Sequence, residues 1–171
     1  PSKGNARSKV NDYNINTSTN YPASLFSKVN LNKSISGNID YGRSDIVDFN
    51  LNLTSDGNLG IEPIDPVNKA FKGNVGITSV GVESTTINIG SDGKVLGTGA
   101  SGCKISGDVS YSNAKNYSNV RINFGGSPCA LANTTFKGVG YHQIKERKLI
   151  VSAADTSGQY GLVFAGDVTA E

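Results

Sequence analysis

Ile35-Ser36-Gly37-Asn38-Ile39-Asp40-Tyr41 returns later in the chain as Ile105-Ser106-Gly107-Asp108-Val109-Ser110-Tyr111, and Phe71-Lys72-Gly73-Asn74-Val75-Gly76 returns as Phe136-Lys137-Gly138-Val139-Gly140. Both pairs keep the same order. Between them, Phe49-Asn50-Leu51-Asn52-Leu53 has a counterpart in Val120-Arg121-Ile122-Asn123-Phe124. Each alternates bulky apolar with polar side chains, as a half-buried strand does. The pattern predicts a duplicated β-meander with repeat halves of about 33–99 and 103–167. It places the two Ile-Ser-Gly segments in equivalent strands, and it makes Phe71 and Phe136 equivalent and buried.

Outward from these repeats, short alternating runs separated by turn residues continue to the end of the chain. The expected strands are Ser34–Tyr41, Ile46–Thr54, Leu59–Ile64, Phe71–Val82, Ser84–Ile89, Lys104–Ser112, Ser118–Gly125, Thr135–Gln143, Lys148–Ala153 and Gly161–Ala165. Asp56-Gly57 and Asp92-Gly93 each follow a strand, and Asp-Gly supplies the positive φ angles of a tight hairpin, so the strands leaving them, Asn58–Ile61 and Lys94–Leu96, are expected to pair back on their predecessors. Pro63 and Pro66 remove ladder donors and belong outside any central strand. Glycines inside strands, such as Gly107, Gly138 and Gly140, point to bends that curl a sheet. A sheet of about ten strands rarely stays open. The expected fold is therefore all-β: a single antiparallel β-barrel or sandwich of about 8–10 strands over residues 33–171, preceded by a polar leader or tether over residues 1–32. A short apolar patch in the leader, Leu25-Phe26 and Val29, admits a brief helix from Pro22 to Val29. Gly97-Thr98-Gly99-Ala100-Ser101-Gly102 lacks the Lys of a phosphate-binding loop and has no helix after it, so it reads as a connector between the halves.

The 171 residues can bury a core unaided by metal. Charged residues make up 18%, below the roughly 25% of ordinary domains, and Gly, Asn, Ser and Thr take their place, which favours strands and turns over helices. The net charge of +2 is spread in mixed signs, too weak for steering toward nucleic acid, so no nucleic-acid partner is expected. No apolar run is long enough to span a membrane as a helix, and no transmembrane segment is expected.

Cys103 stands just before one expected strand and Cys129 just after the next, and antiparallel neighbours bring a strand's start beside its neighbour's end. A Cys103–Cys129 disulfide follows, and with it an extracytoplasmic setting: periplasm, cell surface or secretion. Two cysteines cannot complete a four-ligand zinc site, and neither metal nor cofactor is expected. His142, the one His, sits in a strand beside Tyr141, so the two point to opposite faces. A lone strand His is more often a surface or hydrogen-bonded residue than a catalyst, and no Gly-x-Ser-x-Gly elbow accompanies it. The aspartates coincide mostly with turn positions, where Asp bends the backbone locally. No catalytic residue is assigned.

Arg121-Ile122-Asn123-Phe124-Gly125-Gly126-Ser127-Pro128-Cys129-Ala130-Leu131, then Thr135-Phe136-Lys137-Gly138 and a closing Gly161-Leu162-Val163-Phe164-Ala165-Gly166, resemble the C-terminal β-barrel domain of Gram-negative secreted or surface lipoproteins. The resemblance extends in pattern to barrels of transferrin-binding and complement-regulator-binding proteins. It implies a barrel bearing partner-binding surfaces instead of a catalytic site, and it carries over no binding residue. The functional expectation is a non-enzymatic binding or interaction module of a bacterial outer-membrane, cell-envelope or secreted protein, contacting a protein or surface partner through loops or strand faces. The alternative is a carrier of a small apolar ligand, lipid or haem, in the barrel lumen. A hydrolase using carboxylates or His142 ranks behind both.

Overall fold

The structure, a computed structural model, describes residues 3–14, 16–17, 19–31, 33–52, 61–63, 68–110 and 117–169. Among them are thirteen strands and no helix. The chain divides into two compact units, residues 1–14 with 20–58 and residues 15–19 with 59–171.

The first unit is a four-stranded sheet in the order β1 (Lys3–Asn14), β2 (Thr19–Asn30), β3 (Ser34–Asp40), β4 (Ile46–Asn52). The expected tether over residues 1–32 is thus mostly strand, and Pro22 to Val29 lies in β2 with no helix. Its polar composition hid a period-2 apolar set, Ala23, Leu25 and Val29, which one face of a sheet can use. The β3–β4 turn closes through Tyr41 N–H to the Asp45 carbonyl at 3.0 Å and Gly42 N–H to Asp40 Oδ1 at 2.8 Å.

The second unit is a closed up-and-down barrel of eight strands: β6 (Lys69–Ile77), β7 (Gly81–Ile89), β8 (Lys94–Gly99), β9 (Lys104–Ser110), β10 (Ser118–Phe124), β11 (Thr135–Gln143), β12 (Lys148–Asp155) and β13 (Gly161–Val168). Every consecutive pair is antiparallel, and β13 returns to β6 with Phe164 opposite Val75. A three-residue strand, β5 (Ile61–Pro63), adds to the far end of β11, which confines Pro63 to a short edge as its missing donor requires. Asp92-Gly93 makes the expected hairpin: Gly93 has φ +75° and Lys94 N–H bonds to Asp92 Oδ1 at 2.9 Å. The Asp56-Gly57 turn, residues 58–60 after it and Tyr111 lie outside the described residues. Gly97 to Gly102 is no connector. Gly97-Thr98-Gly99 completes β8, and Gly102 N–H bonds back to the Gly99 carbonyl at 2.9 Å in a tight turn.

Inward residues of the barrel strands form one core. Phe71, Phe136, Phe164 and Leu149 are at most 1% exposed, and Val95, Ile105, Val120 and Ile122 join them. Eight strands give a barrel whose interior side chains just fill it. Phe71 and Phe136 are buried as expected, but the duplication is not realised. β3 belongs to the four-stranded sheet and β9 to the barrel; Ile35 is 41% exposed and Ile105 4%. β6 and β11 stand three antiparallel steps apart, by way of β13 and β12, and run in opposite directions.

What the repeated segments share is local. A Cβ on Gly37, Gly73, Gly107 or Gly138 would run into the carbonyl oxygen of Phe26, Ala165, Arg121 or Ser152 on the adjoining strand. The recurring Ile-Ser-Gly and Phe-Lys-Gly tripeptides mark places where two strands approach too closely for any side chain.

Candidate functional site

One end of the barrel carries the turn after β6 (residues 78–80), the turn after β8 (100–103), the loop after β10 (125–134) and the turn after β12 (156–160). The loop 125–134 begins where Gly125 N–H bonds to the Lys104 carbonyl at 2.8 Å, and it turns back through Cys129 N–H to Gly126 O at 3.0 Å and Asn133 N–H to Gly125 O at 2.9 Å. Its Ser127–Pro128 peptide is cis. Cys103 and Cys129 form the expected disulfide, with Cα atoms 4.5 Å apart, tying the loop to the start of β9. Both half-cystines are buried and pack in the core.

Beside this bond lies a cleft of about 200 Å³. Val75, Ile77, Cys103 and Phe124 are its buried lining; Val80, 41% exposed, and Val82, 62% exposed, flank its mouth. Glu83 is the one carboxylate in the lining. Its Oε2 accepts the Ser101 N–H at 3.1 Å, which fixes the carboxylate over the β8–β9 turn. An apolar lining with a single fixed carboxylate suits an apolar group, with preference for a cationic neighbour.

The rest of this end is held just as firmly. Thr78, fully buried, donates its N–H to the Gly161 carbonyl at 3.0 Å and accepts the Gly161 N–H at 2.9 Å on its hydroxyl. The Asp155 carboxylate clamps the β12–β13 turn. It accepts from Tyr160 N–H at 2.7 Å, from Ser157 N–H at 3.0 Å and from the Ser157 hydroxyl. Burial pushes its pKa up, but the hydrogen bonds from Ser157, Tyr160 and Gln159 outweigh this and hold the carboxyl below its ordinary value.

His142 lies in the barrel interior near the other end of β11, 5% exposed, its ring edge-on to Phe71 with centroids 5.6 Å apart. The structure does not bring it to the cleft. Tyr141 points to the other face and is half-buried, as strand alternation requires. Among the described residues, no three His, Cys, Asp or Glu side chains gather where they could hold a metal ion. No helix among them is long and apolar enough to cross a membrane.

Sequence reasoning found the disulfide but missed the cleft and Glu83. The signal available was limited to Val80 and Val82 bracketing a glycine turn, which reads equally well as strand continuation. The chain matches no family model, no curated protein and no solved structure.

Proposed function

We propose that this chain is a non-enzymatic binding module of a bacterial cell-envelope or secreted protein, contacting a protein or surface partner through the disulfide-pinned end of its barrel. The observation that carries this reading is the apolar cleft with Val80 and Val82 exposed at its mouth, beside a loop immobilised by Cys103–Cys129. Pre-organised loops bind without the cost of ordering, and exposed apolar side chains around a concavity mark interaction sites. The disulfide supports an extracytoplasmic setting. The interior burial of His142 supports a non-enzymatic role, because a general base must reach its substrate. The carrier reading has less support, since the inward side chains already form one contiguous core.

A panel of labelled extracellular proteins and glycans, screened against the folded chain, tests the proposal. Binding lost in Val82→Lys but kept in Val163→Lys, a substitution of an exposed outer-face residue of β13, is the expected result. Turnover of any substrate that disappears on replacing His142 would overturn it. A small molecule released from natively purified protein would favour the carrier instead.

A further inference from the structure

The two ends of the barrel differ in charge. The turns at the cleft end, residues 78–80, 100–103, 125–134 and 156–160, all lie among the described residues and hold no Asp, Glu, Lys or Arg. At the opposite end Asp92 sits in the β7–β8 turn, and Lys145, Glu146 and Arg147 in the β11–β12 turn. Beneath the uncharged turns, Glu83 stands on the inward register of β7, that of the buried Thr85, Ile87 and Ile89, with Val75 opposite it. Gly99 leaves the room for its carboxylate, since a Cβ there would run into Oε1. Oε2 accepts the Ser101 N–H. Among the described residues Glu83 takes part in no ion pair, and the cleft lining has neither Lys nor Arg. The other carboxylate on an inward register at this end, Asp155, is turned onto the Ser157 and Tyr160 N–H groups. A carboxylate set among apolar side chains without a counter-charge is best satisfied by a cation from outside.

We infer that the cleft receives a lysine side chain of the partner protein, its aliphatic stem against Val75, Ile77 and Phe124 and its ammonium on Glu83 Oε1. The inference rests on the binding-module reading and specifies what that module recognises. Size speaks against a free ligand: about 200 Å³ falls below the roughly 300 Å³ at which pockets begin to enclose a drug-sized molecule, so one side chain fills it. Val80 and Val82, exposed at the mouth, then meet the partner's surface around that side chain, whereas a free amine leaves them wet. Lysine fits better than arginine. A guanidinium fork is best matched by two free carboxylate oxygens, and Ser101 already holds one; a compact ammonium needs only the other. The lysine stem also offers apolar surface to the lining.

Nuclear magnetic resonance titration of the whole chain with short capped peptides tests this: one with a central lysine between leucines, and the same peptide with acetyl-lysine, norleucine or arginine in its place. The lysine peptide should shift the amide signals of Val80, Val82 and Ser101 and bind about tenfold more tightly at low salt than the acetyl-lysine and norleucine peptides, with arginine in between. Glu83→Gln keeps the shape of the side chain and should erase that preference while the weaker apolar binding persists. Gly99→Ala, whose methyl displaces the same carboxylate, should narrow it. Equal binding of the lysine and norleucine peptides, a lysine preference that survives Glu83→Gln, arginine ahead of lysine, no shift with any peptide, or n-pentylamine alone binding as tightly as the lysine peptide would each overturn the inference. The binding-module reading is judged separately, by the loss of panel binding in Val82→Lys.

Discussion

The four-stranded sheet and the barrel are made of the same kind of strand, yet they bury their apolar faces to different degrees. In the barrel the inward set is 0–7% exposed, whereas in the sheet Ala23 alone, at 8%, counts as core among the described hydrophobic residues. Closure accounts for the difference: curling eight strands surrounds one face with its own side chains, while a flat four-stranded sheet needs a second layer to do so. Stability should therefore be concentrated in the barrel.

The largest expected effect follows from that contrast. Phe136→Ala or Phe71→Ala should cost about 3–5 kcal/mol, since each removes a fully enclosed ring from a closed wall. Phe136 also loses its edge-on contact with Phe124, at 5.5 Å between centroids. Leu51→Ala on the open sheet, at 62% exposure, should change stability by only about 0.5 kcal/mol. Denaturant midpoints of the three variants at equal slope check this. Comparable losses in both units would end the comparison.

Next comes the covalent tie, which only the barrel has. Replacing Cys103 and Cys129 by Ala frees a loop spanning a separation of 26 residues and should cost about 3 kcal/mol in the chain-entropy account. A fall in melting temperature with reductant, absent in the Cys→Ala pair, is the measurement. The same variant should loosen residues 125–134 and weaken any ligand of the cleft beyond the loss of stability.

Glycine at the close approaches separates the regions more finely. Gly138→Ala drives a methyl into the Ser152 carbonyl and the Ala153 side chain inside a closed wall and should cost about 2 kcal/mol. Gly37→Ala meets Phe26 and Ser27 in an open sheet whose strands can shift apart, and should cost about 1 kcal/mol. Equal costs would show that closure does not stiffen the strand spacing.

The barrel's later strands were legible because each alternates cleanly and is bounded by turn residues; Thr135 to Gln143 coincides with β11 from end to end. β1 was not, because Lys3-Gly4-Asn5-Ala6-Arg7-Ser8-Lys9 is polar at both phases, and edge strands with wet faces leave no period-2 signal. The repeats misled for a physical reason: Gly at a close strand approach with β-formers around it is a local solution, reached in either sheet without common descent of the two halves. The disulfide was legible from strand ends alone. The cleft was not: the β7–β8 register that sets Thr85 opposite Gly99 carries Glu83 to Ser101, but the apolar lining from β6, β10 and the 125–134 loop joins them only when the barrel closes.

The smallest effects are electrostatic, and each region holds one. Asp155 in the barrel has its folded pKa lowered from 3.8 by the turn hydrogen bonds, so its contribution is present above the unfolded value and disappears as pH falls through the lower, folded one. Asp155→Ala should cost about 1 kcal/mol at neutral pH, discounted for solvent screening, and should flatten the acid limb of the stability profile below pH 3.8. Tyr41 in the sheet shifts the other way. Its hydroxyl donates to Asp12 Oδ2 at 2.8 Å, and that bond, with some burial and the charges of Asp12 and Asp45, raises its pKa above 10.0. A raised folded pKa gives a contribution that is complete below pH 10.0 and is lost as the phenol ionises at the higher, folded value. In an ultraviolet titration Tyr41 should ionise above pH 10.0, and Asp12→Asn should bring its ionisation down. Tyr41 lies at the turn that leads into β4. A titration that Asp12→Asn leaves unchanged would show that this hydrogen bond does not hold the phenol protonated.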